Sequence, residues 1–104
     1  MDEKKYKLRY LPLFEHDLAG VRDYIAMKLQ NPIAANRLVE ETEKAIQKRL
    51  LSPLSFKAYN TQKNREHKYY CIYVKNYTVF YVVIDDVMEV RRFLYSRRNI
   101  DALI

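Results

Sequence analysis

Residues 69–95 read YYCIYV-KN-YTVFYVVI-DD-VMEVRRFLY, three apolar runs separated only by Lys75-Asn76 and Asp85-Asp86. Connections of two residues that include asparagine or aspartate are typical of tight β-hairpins, because both tolerate a positive φ. The middle run is apolar nearly throughout, which indicates a strand covered on both of its faces. The stretch therefore predicts an antiparallel meander of three strands, at 69–74, 77–84 and 87–95.

The sequence before the meander predicts one strand and a first helix. Tyr6, Leu8 and Tyr10 alternate with basic residues, and this period of two indicates a strand over residues 6–11. Spacings of three and four predict a helix over 13–29, whose apolar stripe consists of Phe14, Leu18, Val21, Ile25 and Leu29. Gly20, the only glycine, lies inside this helix and suggests a close packing contact.

Asn31-Pro32 predicts the start of a second helix, with an N-cap residue followed by proline at the first helical position. This helix runs to about residue 51, where Ser52-Pro53 stops it. The short link makes the two helices an antiparallel hairpin. The expected fold is a single α+β domain over residues 1–104 with the order β-α-α-β-β-β, its hairpin packed on one face of a small, antiparallel-dominated sheet. The other face, or the groove beside the last strand, would then remain available for function, and so would a tail at 96–104.

Composition limits the classes of partner and of chemistry. Lysine and arginine total 19 and acids total 13, so the net charge of 19 − 13 = +6 predicts an acidic partner, whether nucleic acid, protein or an anionic surface. No apolar stretch approaches a membrane span or a signal peptide, and the lone Cys71 fits a reducing compartment, so a cytoplasmic location is expected. The scarcity of Cys, His and Gly predicts no metal site, no glycine-rich phosphate loop and no cofactor.

Five segments, taken in order, resemble the RelE/ParE superfamily, the small toxins of type II toxin–antitoxin modules. They are DLAGVRDYIA at 17–26, NPIAA at 31–35, LSP at 51–53, VKNYTVFYVV at 74–83 and VRRFLYSRRN at 90–99. The resemblance implies a toxin held inactive by a cognate antitoxin, and contact with operator DNA only through that antitoxin.

The resemblance leaves the target open. RelE-like members are ribosome-dependent endoribonucleases that cut messenger RNA, whereas ParE-like members share the fold, inhibit DNA gyrase and lack the nuclease groups. A third hypothesis is a decayed binding module without either activity. Tyr70 stands where many nucleases of the superfamily have an arginine, and Tyr95 and Ser96 stand where some have a histidine. These departures count against a nuclease based on histidine, and His16 and His67 are interpreted as surface residues.

A nuclease without histidine would use lysine, arginine and tyrosine side chains to hold phosphate and to move protons. The candidate catalytic residues on this hypothesis are Tyr95, Arg65 and Arg91. The candidates for binding nucleic acid or another target are Lys57, Lys68, Arg97 and Arg98. Arg91 and Arg92 are adjacent in a predicted strand, so one of the two is expected to reach the helices and pair with an acid there.

Overall fold

The computed structural model describes residues 5–59, 66–98 and 100–104. It confirms the predicted order, with β1 at Lys7–Tyr10, α1 at Pro12–Asp23, α2 at Pro32–Leu50, β2 at Tyr70–Val74, β3 at Tyr77–Ile84 and β4 at Val87–Tyr95. The strands form one sheet in the order β1-β4-β3-β2. β1 pairs with β4 in parallel, and the other two pairings are antiparallel.

The helical hairpin begins and turns at the predicted residues. α1 starts with proline in its first turn, and the Asn31 side chain accepts a hydrogen bond from the Ala34 N–H at 3.1 Å, which caps α2. A π-helical turn at Tyr24–Lys28 continues α1, so the Leu29 N–H donates to the Tyr24 carbonyl at 3.2 Å. The wider turn ends the stripe early and leaves Leu29 56% exposed, so the prediction that Leu29 joins the core is wrong.

One face of the sheet packs against this hairpin, as predicted. Phe14, Leu38 and Ile46 from the helices are buried with Val79 and Tyr81 of β3, and the remaining buried members of this core are Ile72, Val74, Met88, Val90 and Phe93. Gly20 takes no part in the packing, because a Cβ placed on it would meet nothing within 4 Å. The close contact predicted for this glycine is therefore absent.

The opposite face is not left open, which corrects the prediction of a free face and a free tail. A short helix, α3 at Ile100–Leu103, follows β4. Its Ile100 is buried in a second apolar cluster with Phe80, Val82 and Leu94. Alternate apolar residues on β3 thus serve two cores, which explains why this strand is apolar along nearly its whole length.

The alternation of side chains along β4 is interrupted by a β-bulge. The register shifts between Phe80 and Tyr81, so their partners across the ladder are Arg92 and Val90, and Arg91 is the extra residue. Arg91 and Arg92 therefore do not follow the simple opposite-face rule used above. The predicted pairing with a helix acid is nevertheless confirmed, because Arg92 binds Asp17 of α1.

None of the described helices combines the length and the apolar character needed to cross a membrane.

Candidate functional site

Arg91 belongs to a polar network on the face opposite the helical hairpin. Its Nε donates to the Glu89 carboxylate at 3.0 Å, and its Nη1 donates to the Tyr69 hydroxyl at 3.1 Å. Arg9 of β1 donates to the other Glu89 oxygen. Burial raises the pKa of Glu89, but the hydrogen bonds from Arg9 and Arg91 outweigh burial, so the pKa lies below its ordinary value. Arg91 is thus held as a structural member of an Arg–Glu–Arg network.

Asp17 joins α1 to the edge of β4 through three hydrogen bonds. The Arg92 guanidinium grips its carboxylate in a forked pair of bonds, at 2.7 and 3.2 Å, and the Phe93 N–H donates to it at 3.1 Å. The β1 ladder with β4 reaches only to Val90, so Asp17 satisfies an edge N–H that β1 does not reach. Arg92 also donates to the Leu103 carbonyl at 3.0 Å, which fastens α3 to the same point.

Tyr95 lies on the helical side of the sheet, in a groove of about 310 Å³ between α1 and the end of β4. Tyr24 and Tyr77 line the same groove, together with Gly20 and Arg98, and we call it the tyrosine groove. The ring centroids of Tyr77 and Tyr95 are 5.8 Å apart. The structure therefore brings together two of the predicted site residues, Tyr95 and Arg98, and adds two tyrosines that the sequence analysis did not select.

The two predicted catalytic residues that the structure describes are not neighbours. Tyr95 contacts Tyr77, which stacks on Phe93 of the helix-side core at 4.9 Å. Arg91 contacts Tyr69, which belongs to the cluster on the other face. The sheet thus separates the Tyr95 ring from the Arg91 guanidinium. Arg65, the third predicted catalytic residue, lies outside the described residues.

The predicted binding lysines lie away from the tyrosine groove. Lys57 lines a different groove beside β2, with Arg49 and Tyr73 among its neighbours. Lys68 is exposed just before β2. Arg97 and Arg98 are exposed in a turn after β4, where the Arg98 N–H donates to the Tyr95 carbonyl at 3.1 Å. Of these four predicted binding residues, only Arg98 lines the same groove as Tyr95.

Arg49, which the sequence analysis did not select, organises the groove beside β2. Its Nη1 donates to the Cys71 carbonyl at 3.0 Å and to the Tyr81 hydroxyl at 2.9 Å, and its guanidinium lies 3.5 Å from the centroid of the Phe56 ring. The Tyr81 hydroxyl in turn donates to the Pro53 carbonyl at 2.7 Å. Arg49 therefore joins the end of α2 to the edge of the sheet and acts as a structural residue.

Cys71, whose place in the apolar pattern of its strand predicts a core position, is partly buried against the second apolar cluster. Burial raises the pKa of its thiol to about 11, against a weaker lowering by the Tyr73 hydroxyl and Arg49. A neutral thiol is a poor nucleophile and a poor metal ligand. Among the described residues, no group of three or more His, Cys, Asp and Glu side chains could hold a metal ion.

Tyr24, Tyr77 and Asp17 carried only weak signals in the sequence. Tyr24 lies off the apolar stripe of the first helix, and an exposed aromatic residue at such a position is a reason to suspect an interface. Tyr77 is indistinguishable from its apolar strand neighbours. Asp17 looks like an ordinary acid in the first turn of a helix, and only the tertiary structure shows its contact with β4.

Comparison with known proteins is consistent with this architecture. The model of the family described as "ParE toxin of type II toxin-antitoxin system, parDE" matches residues 8–100. The chain is similar to a solved structure of the chromosomal ParDE TA system from P. aeruginosa, with a TM-score of 0.69 and 14% identity over 88% of this chain and 97% of that one. It is also similar to the archaeal RelE-RelB complex from Pyrococcus horikoshii OT3, with a TM-score of 0.53 and 16% identity over 90% and 98% of the two chains. These two likenesses concern the fold, and no curated protein matches the sequence.

Proposed function

Because this chain belongs to the ParE toxin family of type II toxin–antitoxin systems and is the toxin component of such a module, we propose that it inhibits DNA gyrase by binding it. The match to the ParE family model supports this target, since the ParE-like members of the superfamily are the ones that the sequence analysis connects with gyrase. The alternative target is messenger RNA on the ribosome, which the chain would have to cleave.

The observation that favours binding over RNA cleavage is the separation of Tyr95 from Arg91. Attack by a 2′-hydroxyl needs a cation at the phosphate and a proton-transfer group at the same scissile bond. Here Arg91 already binds Glu89 and Tyr69 on one face, and the Tyr95 ring lies on the other. The described catalytic residues predicted from the sequence thus do not meet at one site, and a toxin that works by occupying a surface of its target needs no such cluster. Arg98 and His16 do line the groove with Tyr95, and the ribosome assay below tests that group for cleavage.

Two assays with the purified chain test this proposal. The first measures supercoiling of relaxed plasmid by gyrase and the accumulation of cleaved DNA, and inhibition at submicromolar toxin is expected. The second presents messenger RNA on stalled ribosomes and maps its 5′ ends, and no toxin-dependent cut is expected. The nuclease hypothesis would replace this proposal if the toxin cut messenger RNA at codon boundaries while gyrase stayed fully active. In that case Tyr95→Phe should abolish the cleavage.

We also propose that the cognate antitoxin adds a strand to the free edge of β1. The Lys7 and Leu11 N–H groups donate to carbonyls on the β4 side, so the backbone groups of Leu8 and Tyr10 point to the opposite edge. No described backbone group pairs with them there. The other edge of the sheet is partly occupied, because Arg49 binds the Cys71 carbonyl and the Tyr59 N–H binds the Tyr69 carbonyl.

The side chains of β1 indicate the chemistry of the added strand. Lys7 and Arg9 lie on one face and are largely exposed, so acidic residues would complement them. Leu8 and Tyr10 lie on the other face and are only partly buried against the helical core. Tyr10 also lines a groove of about 600 Å³ between α1 and α2, with Phe14 and Val39. A strand that alternates acidic and apolar residues would therefore fit both faces of this edge.

Charge reversal at the edge tests the antitoxin proposal. Lys7→Glu leaves the ladder intact, because Lys7 makes only a 3.9 Å ion pair with Asp86, and it should weaken antitoxin binding about tenfold at low salt. Lys48→Glu, on the exposed side of α2, is the matched control and should bind normally. Equal affinities for the two variants would show that the antitoxin does not use this edge.

A further inference from the structure

The tyrosine groove has an uncompensated positive rim. Asp17 is the only acid among the described residues that line it, and its carboxylate is already bound by Arg92 at 2.7 Å. Within the described part of the chain, the Arg98 side chain makes no ion pair, and Arg97 beside it is exposed. The groove therefore presents the Arg98 guanidinium, with the exposed Arg97 next to it in the chain, and no acid among the described residues pairs with Arg98. A complementary ligand would supply negative charge.

Three tyrosines, Tyr24, Tyr77 and Tyr95, line the walls of the groove, and the ring centroids of Tyr77 and Tyr95 are 5.8 Å apart. Burial raises the pKa of Tyr77, and the neighbouring hydroxyls of Tyr95 and Tyr24 raise it further. A tyrosine hydroxyl can donate or accept a hydrogen bond. Tyrosine and arginine are also the residue types that most often dominate the binding energy of protein interfaces.

An exposed apolar surface lies beside the groove at the tip of the helical hairpin. Tyr24 is 55% exposed and is shared by both surfaces, while Met27 is 74%, Leu29 56% and Ile33 71% exposed. The π-helical turn at Tyr24–Lys28 adds Leu29 to this surface, because its wider winding turns the chain off the core stripe. Large apolar side chains clustered in this way are typical of a protein-binding surface.

From these features we propose that the tyrosine groove and the adjoining hairpin tip form the surface by which this toxin binds its target, and that the target offers a protein segment with acidic and apolar side chains. The acid would meet Arg98 and Arg97, and the apolar groups would cover Tyr24 and Met27. A nucleic acid fits less well, since its affinity comes from many phosphate contacts and the tip offers it aliphatic side chains instead. The proposal rests on the proposed function, in which the toxin acts by binding a protein.

Three variants of the chain test this surface. Two change the groove: Tyr24→Ala alone, and Tyr95→Ala combined with Arg98→Ala. The third, Tyr73→Ala, is the control. Tyr73 is a tyrosine of β2 with 71% exposure that does not line the groove. Affinity for gyrase and for the antitoxin is measured by biolayer interferometry, and growth is followed after induction in cells. The two groove variants should bind gyrase at least about 30-fold more weakly, as for truncated hot-spot residues. They should lose toxicity and keep full antitoxin affinity, which also shows that they are folded, and Tyr73→Ala should behave as the wild type.

The outcomes separate this proposal from the choice of gyrase. If wild-type toxin does not bind gyrase but the groove variants still lose toxicity, gyrase is the wrong target and the surface stands. If the variants stay as toxic as the wild type, the surface is wrong whatever the target. Loss of antitoxin affinity with unchanged gyrase binding would assign the groove to the antitoxin and overturn the proposal. If a single-stranded oligonucleotide competes with gyrase for the groove, the proposal of a protein partner is overturned.

Discussion

Replacing Asp17 by alanine should destabilise the domain more than any other single change to a charged helix residue. The substitution leaves the Arg92 guanidinium without its partner in a site where the two side chains are only 17% and 12% exposed. Breaking such a pair costs about 3–5 kcal/mol. It also leaves the Phe93 N–H without the acceptor that now lies at 3.1 Å, at a cost of about 1–3 kcal/mol. Because one carboxylate serves both donors, the two costs overlap, and we expect a total of about 4 kcal/mol.

Urea denaturation at pH 7, followed by circular dichroism, measures this loss. For a domain of this size, 4 kcal/mol lowers the Tm by roughly 15–30 °C. Asp17→Asn keeps an oxygen acceptor for the Phe93 N–H and loses the charge, so about half of the effect should remain. The control is Asp23→Ala, which removes an exposed ion pair with Arg22 at 3.1 Å and should change stability by less than about 0.5 kcal/mol.

A double-mutant cycle with Arg92→Ala isolates the ion pair from the rest of the site. The structure predicts a coupling energy of about 2–3 kcal/mol between Asp17 and Arg92. A coupling below about 0.5 kcal/mol, or equal effects of Asp17→Ala and Asp23→Ala, would refute the view that this carboxylate closes the edge of β4.

Three further predictions concern pH, reactivity and packing. The pKa of Glu89 is lower in the folded chain than its ordinary value, so the ionised carboxylate stabilises the fold above about pH 4.5. This stabilisation is lost as the pH falls through the pKa that Glu89 has in the folded chain. The free energy of unfolding should therefore fall less between pH 7 and pH 3 in Glu89→Gln than in the wild type, and parallel pH profiles would contradict the network. Cys71, whose pKa burial raises to about 11, should react with iodoacetamide at pH 8 much more slowly in the folded chain than in 6 M urea, and equal rates would place the thiol in solvent. Ile46→Ala should cost about 2–5 kcal/mol in urea unfolding because Ile46 is fully buried, whereas Leu29→Ala should cost less than about 0.5 kcal/mol.

The parts of this fold that depend on local pattern were predictable. The boundaries of β3 and β4 match the prediction residue for residue, because two-residue breaks of strong turn formers delimit them. Asn31-Pro32 marks the start of α2 for an equally local reason. The pairing of Arg92 with a helix acid could also be anticipated, since a buried arginine needs a partner, although Asp17 itself could not be selected from the several acids on the helices.

The parts that depend on tertiary context were not predictable. The β-bulge at Arg91 is defined by the pairing of β4 with β3, so the faces of Arg91 and Arg92 were assigned by a rule that fails there. The π-helical turn has no sequence signature, and Leu29 was therefore placed in the core. α3 is too short to show a helical period, so the covering of the second face by Ile100 was missed. The tyrosine groove combines residues from α1, β3, β4 and the following turn, and no linear motif joins them.

The parallel pairing of β1 with β4 sets the order of events during synthesis. The Arg9–Glu89 contact joins residues 80 positions apart. At a translation rate of about 5–20 residues per second, roughly 4–16 s pass between the synthesis of β1 and that of β4, with which it pairs. During that interval both of its edges are unpaired, and the β4 backbone that Asp17 caps does not yet exist. The sheet can close only after β4 has left the exit tunnel, so a nascent chain interrupted before β4 contains neither the completed sheet nor the tyrosine groove. An antitoxin strand that adds to β1 would have no finished edge to recognise until β4 has been translated and has paired with β1.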